Sequence, residues 1–317
     1  MSGFIQSEIH RSRRCHAAAL VRTLAILAAS CSPCAELSAQ PTPTDNATSL
    51  RATYESLKPQ LDHAAFHRRL YLDSRESPST VTGEIYAVMD YPFGTVSDVL
   101  NDPIQSPKNW CDVLILHPNV KYCHASASSS GDTLTVYVSQ EEVAAELAAT
   151  YRLQFDYEPA TTSPGYFQLK LHSDSGPLNT RDYQIVLEAA SLGSGRTFLH
   201  LTYAYSYGVI GRLAMKGYLA TFGRGKVGFT NLADSSAAEP KFVDGVRGLV
   251  ERNTMRYYLA IDAYLGEPSS LPDNRVDQRL SNWFSASEQY PRQLHEIDRQ
   301  QYMEMKQEEC RRQQAQP

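Results

Sequence analysis

Alternation of apolar and polar residues through the middle of the chain predicts a series of β-strands. Between residues 81 and 207, apolar side chains recur at every second position in one segment after another, with a denser apolar run at 111–116. The predicted strands are 81–90, 111–116, 133–139, 151–157, 166–172, 182–190 and 197–207. Because parallel pairing requires long crossovers and most of these connections are short, the sheet is predicted to be antiparallel.

Apolar residues at helical spacing predict helices on both sides of these strands. The first runs from Ser49 to about residue 70, with Pro59 kinking or splitting it, and shorter ones are predicted around 96–100 and at 141–149 and 207–222. The longest covers 242–265, about 36 Å at 1.5 Å per residue, and ends at Gly266. One arc of this helix is apolar, so it is predicted to pack on the sheet. The arc consists of Phe242, Val243, Val246, Val250, Tyr257, Ala260, Ile261, Tyr264 and Leu265.

The first 39 residues have the pattern of a signal peptide. Four arginines between Arg11 and Arg22 precede a short apolar run at 23–30, and small residues lead to a cleavage site before Gln40. This run is too short to span a bilayer, so the protein is predicted to be exported, to the periplasm or outside the cell, without a transmembrane segment. Lipoprotein anchoring at Cys31 is less favoured, because the leucine of the lipoprotein pattern stands one position too far away.

Composition and charge exclude several classes of protein. The chain is 42% apolar and 21% charged, which is ordinary for a globular protein and argues against disordered or fibrous structure. Its formal charge is −5, and removing the signal peptide leaves 26 basic and 33 acidic residues, a net charge of −7. That balance supplies no general electrostatic reason for binding nucleic acid.

Three cysteines remain after the signal peptide: Cys111, Cys123 and Cys310. In an oxidising compartment Cys111 and Cys123 are predicted to form a disulfide, and the redox state of Cys310 stays open. The competing interpretation, a metal site, lacks further Cys or His residues at ligand spacing. His63 and His67 also have a metal-compatible spacing, but no third ligand accompanies them, so no metal site is predicted.

These patterns divide the chain into four parts. Residues 1–39 are the predicted signal peptide, and 40–80 are a polar linker followed by the N-terminal helix. The folded domain is predicted to cover 81–266. Residues 267–317 are predicted to form a polar tail, partly helical, with a surface helix at 293–312.

The order of elements resembles the START-like, or helix-grip, superfamily of lipid-transport and polyketide-cyclase proteins, in an exported bacterial branch. The resemblance rests on 83–88 as first strand, 92–96 opening a short helix, the tryptophan segment 109–111, and the terminal helix. It covers roughly residues 80–266. It implies an α+β fold in which a curved antiparallel sheet wraps around the long C-terminal helix. It also implies a cavity between sheet and helix for lipids or other apolar molecules.

The predicted ligand-binding residues lie on that helix and on the last strand. Asn253 and Arg256 are candidates for anchoring a carboxylate or phosphate head group. The alternative is structural: Arg256 pairs with a sheet carboxylate such as Glu188, and the strand tyrosines pack on the outer face of the sheet. The full set of predicted ligand-binding residues is Tyr203, Tyr205, Val250, Asn253, Arg256, Tyr257 and Ile261.

The sequence contains no recognisable catalytic motif, so the leading hypothesis is a non-catalytic protein that binds an apolar or amphipathic molecule without a cofactor. Two alternatives stay open. A cyclase- or hydrolase-type enzyme could use His117 or His200 as a general base if that histidine met a carboxylate and Arg256 in a pocket. An envelope interaction protein could instead bind a partner protein through the tail at 267–317.

Overall fold

The structure is a computed structural model that describes residues 43–64, 66–129, 131–139, 146–193, 195–221, 223–232, 240–266 and 275–315. The predicted signal peptide at 1–39 lies outside the described residues, as does most of the predicted helix at 141–149. Residues 41–317 form one compact unit. No helix in the described part of the chain combines the length and the apolar character that crossing a membrane requires.

An antiparallel sheet of eight strands forms the centre of the protein, and their order across it is β1-β2-β8-β7-β6-β5-β4-β3. The strands are β1 Leu70–Glu76, β2 Thr80–Met89, β3 Val120–Ser126, β4 Asp132–Val138, β5 Tyr151–Ser163, β6 Tyr166–Gly176, β7 Thr180–Ser191 and β8 Thr197–Tyr207. All neighbouring strands pair antiparallel, as predicted.

Eight helices accompany this sheet in the described residues. They are α1 Pro43–Asp62, α2 Phe93–Leu100, α3 Ser106–Leu114, α4 Val209–Ala220, α5 Gly245–Leu265, α6 Arg275–Ser287, α7 Pro291–Leu294 and α8 Arg299–Ala315. The long helix α5 matches the predicted helix at 242–265 and packs on the sheet, so the predicted α+β fold with a long helix against an antiparallel sheet is confirmed.

A glycine allows α5 to approach the sheet closely. A Cβ atom added to Gly83 of β2 would clash with Thr254 Oγ1 and would lie 3.4 Å from the Val250 carbonyl oxygen of α5. The absent side chain therefore sets how near the helix axis comes to β2. Val250 and Thr254 are completely buried at this crossing.

The N-terminal helix covers the opposite face of the sheet. Leu50, Tyr54 and Leu61 of α1 form a separate buried cluster with the outward side chains of β6, β7 and β8. The Tyr54 ring lies 5.2 Å from that of Phe198. The helix begins at Pro43, within the predicted linker, and ends at Asp62 rather than near residue 70.

Strand β1 lies in the part of the chain, 40–80, that the sequence assigned to a linker and the N-terminal helix. Leu70, Leu72 and Ser74 are buried at alternate positions, and Leu72 pairs with Ile85 of β2. With few residues and a polar second half, this strand has little periodicity of its own. The folded domain consequently starts before the predicted boundary at residue 81.

The predicted strand at 111–116 is wrong, because Cys111 to Leu114 belong to helix α3. Trp110, Cys111, Val113 and Leu114 are all buried, so this short helix has little polar face to reveal its period. The strand lies further on, at β3. The predicted disulfide is confirmed: it joins Cys111 of α3 to Cys123 of β3, whose Cα atoms are 5.1 Å apart.

The segment predicted to be a polar tail packs against the domain as α6, α7 and α8. The indole of Trp283 stacks on Tyr302 at 5.0 Å and donates a hydrogen bond to the Arg256 carbonyl oxygen at 3.2 Å. Tyr302 donates to the Leu116 carbonyl oxygen at 2.8 Å. On α8, the completely buried Lys306 donates to Glu309 at 2.6 Å. The segment is therefore a packed part of the domain, and the binding of a partner protein through it stays a prediction.

Candidate functional site

A cavity of about 120 Å³ lies between α5 and the inner face of the sheet. Helix α5 contributes Leu249, Asn253 and Tyr257, and strand β8 contributes Tyr203 and Tyr205. The remaining lining residues are Leu114, His117, Asn119, Val120, Val136, Val138, Leu153, Phe155, Pro177, Leu178, Thr180, Tyr183, Met215 and Tyr218. The predicted space between sheet and helix is therefore present, with mainly apolar and tyrosine walls.

The three α5 residues occupy one narrow stripe of the helix. Leu249, Asn253 and Tyr257 follow each other at intervals of four, so they lie above one another on a single face. They are partly accessible, whereas Val250 and Ile261, two other predicted ligand-binding residues, are completely buried and do not line the cavity.

Tyrosines form one wall of the cavity. The rings of Tyr183 and Tyr205 stack at 5.0 Å, and Tyr203 contacts Tyr257 of α5 at 5.3 Å. The tyrosines of β8 therefore face inward, and the alternative that they pack on the outer face is wrong. Burial raises the pKa of Tyr203 and Tyr205 well above 10, so both hydroxyls are neutral. Tyr183 donates to or accepts from Thr180 Oγ1 at 2.8 Å, whereas Tyr205 Oη has no hydrogen-bond partner among the described residues.

His117 lines the cavity and carries a second buried polar atom without a regular hydrogen bond. Its Nδ1 accepts a hydrogen bond from the Asn119 backbone N–H at 3.1 Å. Burial, reinforced by Arg256, holds the pKa of this imidazole well below 6.5, and Asn253 opposes the shift only in part. A neutral ring whose Nδ1 accepts carries its proton on Nε2. Within the described part of the protein that Nε2–H makes no hydrogen bond of regular geometry, although the Asn253 side chain is near enough to interact with the ring.

Arg256 lies behind the cavity wall and not in it. It is 2% exposed and donates to Glu296 at 2.8 Å, to Asn253 Oδ1 at 3.4 Å and to the Leu294 carbonyl oxygen at 3.5 Å. Lys226 donates to the same Glu296 carboxylate at 2.6 Å. Burial raises the pKa of Glu296, but Arg256 and Lys226 outweigh it and bring the value to about 2. The alternative that Arg256 pairs with Glu188 is wrong, because its partner comes from the segment predicted to be a tail.

Arg252 is the least compensated charge near the cavity. It is 1% exposed, and it donates a hydrogen bond to the Val227 carbonyl oxygen at 3.4 Å. No carboxylate of the described residues lies within salt-bridge distance of it. The preceding residue, Glu251, is engaged elsewhere by the Thr230 amide at 2.9 Å and its hydroxyl at 2.6 Å. Burial and the repulsion of Arg256 lower the pKa of Arg252 to about 10.

His200, the other candidate base, lies on the outer face of the sheet. Its Nδ1 is 2.8 Å from Glu188 and its Nε2 is 3.1 Å from Glu84, and the ring stacks on Tyr86 at 4.2 Å. Burial lowers the pKa of His200, but the two carboxylates outweigh it and raise the pKa above 6.5. An imidazole held by a carboxylate at each nitrogen has no free lone pair for a substrate, and this one does not face the cavity.

Helix α4 closes one end of the cavity. Its Met215 is buried and its Tyr218 half-buried, and both line the cavity. The opposite side of the helix leaves Val209 87% exposed. A Cβ atom added to Gly211 would lie 2.8 Å from the Asn179 carbonyl oxygen, so this glycine seats α4 against the end of β7, whereas Gly217 on the same helix has open space.

Several cavity residues did not enter the sequence prediction. Tyr183 belongs to the predicted strand at 182–190 and alternates with Ile185 and Leu187, which marks it as inward-facing. Leu249 lies one turn before Asn253, so the same stripe could have been extended to it. The structure brings together Tyr203, Tyr205, Asn253 and Tyr257 of the predicted set. No group of three or more His, Cys, Asp or Glu side chains among the described residues is arranged to hold a metal ion.

Comparisons with known proteins find structural likeness alone. No family model and no curated protein matches the chain. Human StAR-related lipid transfer protein 5 is 9% identical and covers 69% of this chain and 97% of its own, with a TM-score of 0.33. Norcoclaurine synthase from Thalictrum flavum is 11% identical over 48% of this chain and 90% of its own, with a TM-score of 0.32. At TM-scores below 0.5, they support no argument about function.

Proposed function

We propose that this protein is an exported, non-catalytic binding protein that holds a small apolar or amphipathic molecule between α5 and the sheet. The observation that carries the proposal is the cavity itself, which α5, β8 and α4 enclose with apolar side chains and tyrosines. Sites of this composition, apolar with a few placed polar atoms, are typical of small-molecule binding. Export rests on the pattern of residues 1–39.

The volume of the cavity limits the size of the ligand. A water molecule requires roughly 10–15 Å³ of such space, so about 120 Å³ corresponds to roughly eight to twelve water-sized units. This accommodates a single ring or a short chain of about ten non-hydrogen atoms. A phospholipid or sterol would enter only if α4 moved or part of the molecule remained outside.

The histidine geometry favours binding over catalysis. General base catalysis requires a free lone pair within reach of the substrate. His117 uses its Nδ1 lone pair to accept from Asn119, and its protonated Nε2 is buried, so it offers no free lone pair to a substrate. The carboxylate nearest to this region, Glu296, is occupied by Arg256 and Lys226.

Native mass spectrometry of the purified protein tests the proposal, combined with calorimetric titration of hexan-1-ol and hexanoate. We expect a small bound molecule, recovered with unchanged mass after release, or binding of at least one probe with one-to-one stoichiometry. The variant Val138→Phe adds four carbon atoms to the cavity wall and should abolish binding. Val209→Phe makes the same change on the exposed side of α4 and should bind normally. If neither probe binds and nothing copurifies, the proposal is wrong, and a ligand recovered with altered mass would favour the enzyme instead.

A further inference from the structure

Helix α4 carries apolar side chains on two opposite sides. Met215 and Tyr218 line the cavity, whereas Val209, Ile210 and Leu213 are 87%, 71% and 71% exposed. At about 100° per residue, these three exposed side chains fall within an arc of roughly 100°, and the cavity-lining side chains lie on the other side of the helix. This outward arc of α4 is not covered by any described part of the chain.

An exposed cluster of this kind is unusual on a protein surface. Single exposed apolar residues are normal, whereas contiguous ones mark a surface that contacts a membrane or another protein. Val209, Ile210 and Leu213 are three of the six large apolar side chains that are exposed among the described residues. Their concentration on the first five residues of one helix therefore calls for a partner.

Positive charge flanks the outward arc. Arg212 and Lys216 stand four residues apart along one edge of it, and both are exposed. Neither of them, nor Arg224 beyond the end of the helix, forms an ion pair with a carboxylate among the described residues. Residues 189–233 contain no aspartate or glutamate, although the whole chain has a net charge of −5. The positive charge is thus confined to one part of an acidic protein.

These two properties together favour a membrane over a protein as the partner. A helix that exposes apolar side chains beside lysine and arginine is typical of helices that lie in the interface of an anionic bilayer. Each basic residue close to such a surface strengthens binding about fivefold. A second copy of the chain fits less well, because a twofold contact through this face would bring Arg212 and Lys216 against their own copies.

We infer that α4 binds the surface of a membrane containing anionic phospholipids, with its outward arc in the interface and Arg212 and Lys216 at the lipid phosphates. The helix has 12 residues, so this contact is peripheral. Because the other side of α4 closes the cavity, binding places the cavity beside the lipid. The inference depends on the outward arc of α4 and its flanking charges, and it does not depend on which molecule the cavity binds.

Cosedimentation of the purified protein with lipid vesicles tests the inference. One set of vesicles contains equal parts of phosphatidylglycerol and phosphatidylcholine, and the other contains phosphatidylcholine alone. We expect the anionic vesicles to bind at least about tenfold more tightly, and added salt to weaken their binding. Ile210→Ser should lower the affinity for anionic vesicles about tenfold because it removes apolar surface from the interface. Lys216→Gln should lower it about fivefold.

Each of these variants has a matched control. Ile104→Ser makes the same exchange at a side chain that is 79% exposed between α2 and α3. Lys58→Gln removes the same charge from an exposed position of α1, the helix that covers the opposite face of the sheet. Both controls should bind anionic vesicles as the wild type does, and circular dichroism verifies that all four variants are folded.

Three results would overturn the inference. The first is absence of binding to anionic vesicles, and the second is equal affinity for the two kinds of vesicle. The third is an equal loss in Ile210→Ser and Ile104→Ser, which would show that the outward arc has no special role. A dimer in light scattering that Ile210→Ser dissociates, without vesicle binding, would assign the arc to a second copy instead. The proposed function survives each of these results, because the titrations of hexan-1-ol and hexanoate test it separately.

Discussion

Replacing Glu296 by Gln removes the negative charge that holds Arg256 and Lys226 behind the cavity. The exchange keeps the size of the side chain but leaves Arg256, which is 2% exposed, without a counter-charge. Removing one partner of a buried ion pair typically costs 3–5 kcal/mol. A second estimate comes from the pKa of Glu296, which falls from 4.5 to about 2 in the folded protein. At 1.36 kcal/mol per unit, this corresponds to roughly 3 kcal/mol at pH 7.

The pH dependence of the stability difference between wild type and Glu296→Gln is the most specific test of this prediction. A carboxyl group with a lowered folded pKa stabilises the protein above its unfolded pKa, and the contribution is lost as the pH falls toward the folded value. The advantage of the wild type over Glu296→Gln should therefore shrink from roughly 3 kcal/mol at pH 7 to about 1.4 kcal/mol at pH 3. Urea unfolding followed by circular dichroism at several pH values measures both quantities.

A matched control is available on the same segment. Glu288 pairs with His295 at 2.9 Å, but both side chains are considerably more exposed than Arg256. Glu288→Gln should cost less than about 1 kcal/mol, as exposed pairs do. A loss below 1 kcal/mol for Glu296→Gln at pH 7, or a loss independent of pH, would refute the assignment of Glu296 as the counter-charge of Arg256.

Three further predictions concern other parts of the structure. His200→Gln should lower the free energy of unfolding by about 1 kcal/mol at pH 6. Because the pKa of His200 is raised in the folded protein, the difference in stability between wild type and variant should vanish as the pH rises through that pKa. Urea unfolding between pH 5.5 and 9 measures this difference. Gly217→Ala should stabilise α4 by about 0.5–1 kcal/mol. Gly211→Ala should instead displace α4 from Asn179 and accelerate ligand release in stopped-flow experiments. Equal release rates in the two variants would contradict the interpretation that Gly211 lets α4 pack against Asn179. Arg252→Met should raise the free energy of unfolding by about 1 kcal/mol or more, because it removes a buried charge that has no carboxylate within salt-bridge distance among the described residues; a loss of stability in urea unfolding would contradict this.

Strands with one buried face could be predicted because their period of two is visible in the sequence. Strands β2 and β4 to β8, the long helix α5 and the disulfide between Cys111 and Cys123 follow from local patterns. Helix α3 could not, because a short helix that is buried on nearly every side has the same composition as a central strand. Strand β1 could not be predicted either, because its residues show little periodicity and the strand forms through its pairing with β2.

The sequence predicted the parts of the candidate site that belong to a single helix or a single strand. The stripe of α5 and the inward face of β8 can be worked out from spacing, and they contributed Asn253, Tyr257, Tyr203 and Tyr205. The counter-charge of Arg256 could not be found in this way, because Glu296 lies 40 residues further on, in a segment whose polar composition suggested a tail. In that segment the buried Trp283 and Tyr302 stand among charged residues. The mean hydropathy of the segment is therefore polar and gives no indication that it packs against the domain.

The four-residue spacing of Leu249, Asn253 and Tyr257 has a consequence for how this protein could diversify. Only these three α5 residues line the cavity, and the helix also contacts the sheet and the helices α3, α4, α6 and α7. Exchanges at Leu249 would alter the shape of the chamber, whereas exchanges at Asn253 or Tyr257 would also remove a contact with Arg256 or with Tyr203 of the sheet. Related chains could thus acquire new preferences most readily at Leu249, and a library randomised at this codon should yield a larger share of folded proteins than one randomised at the other two.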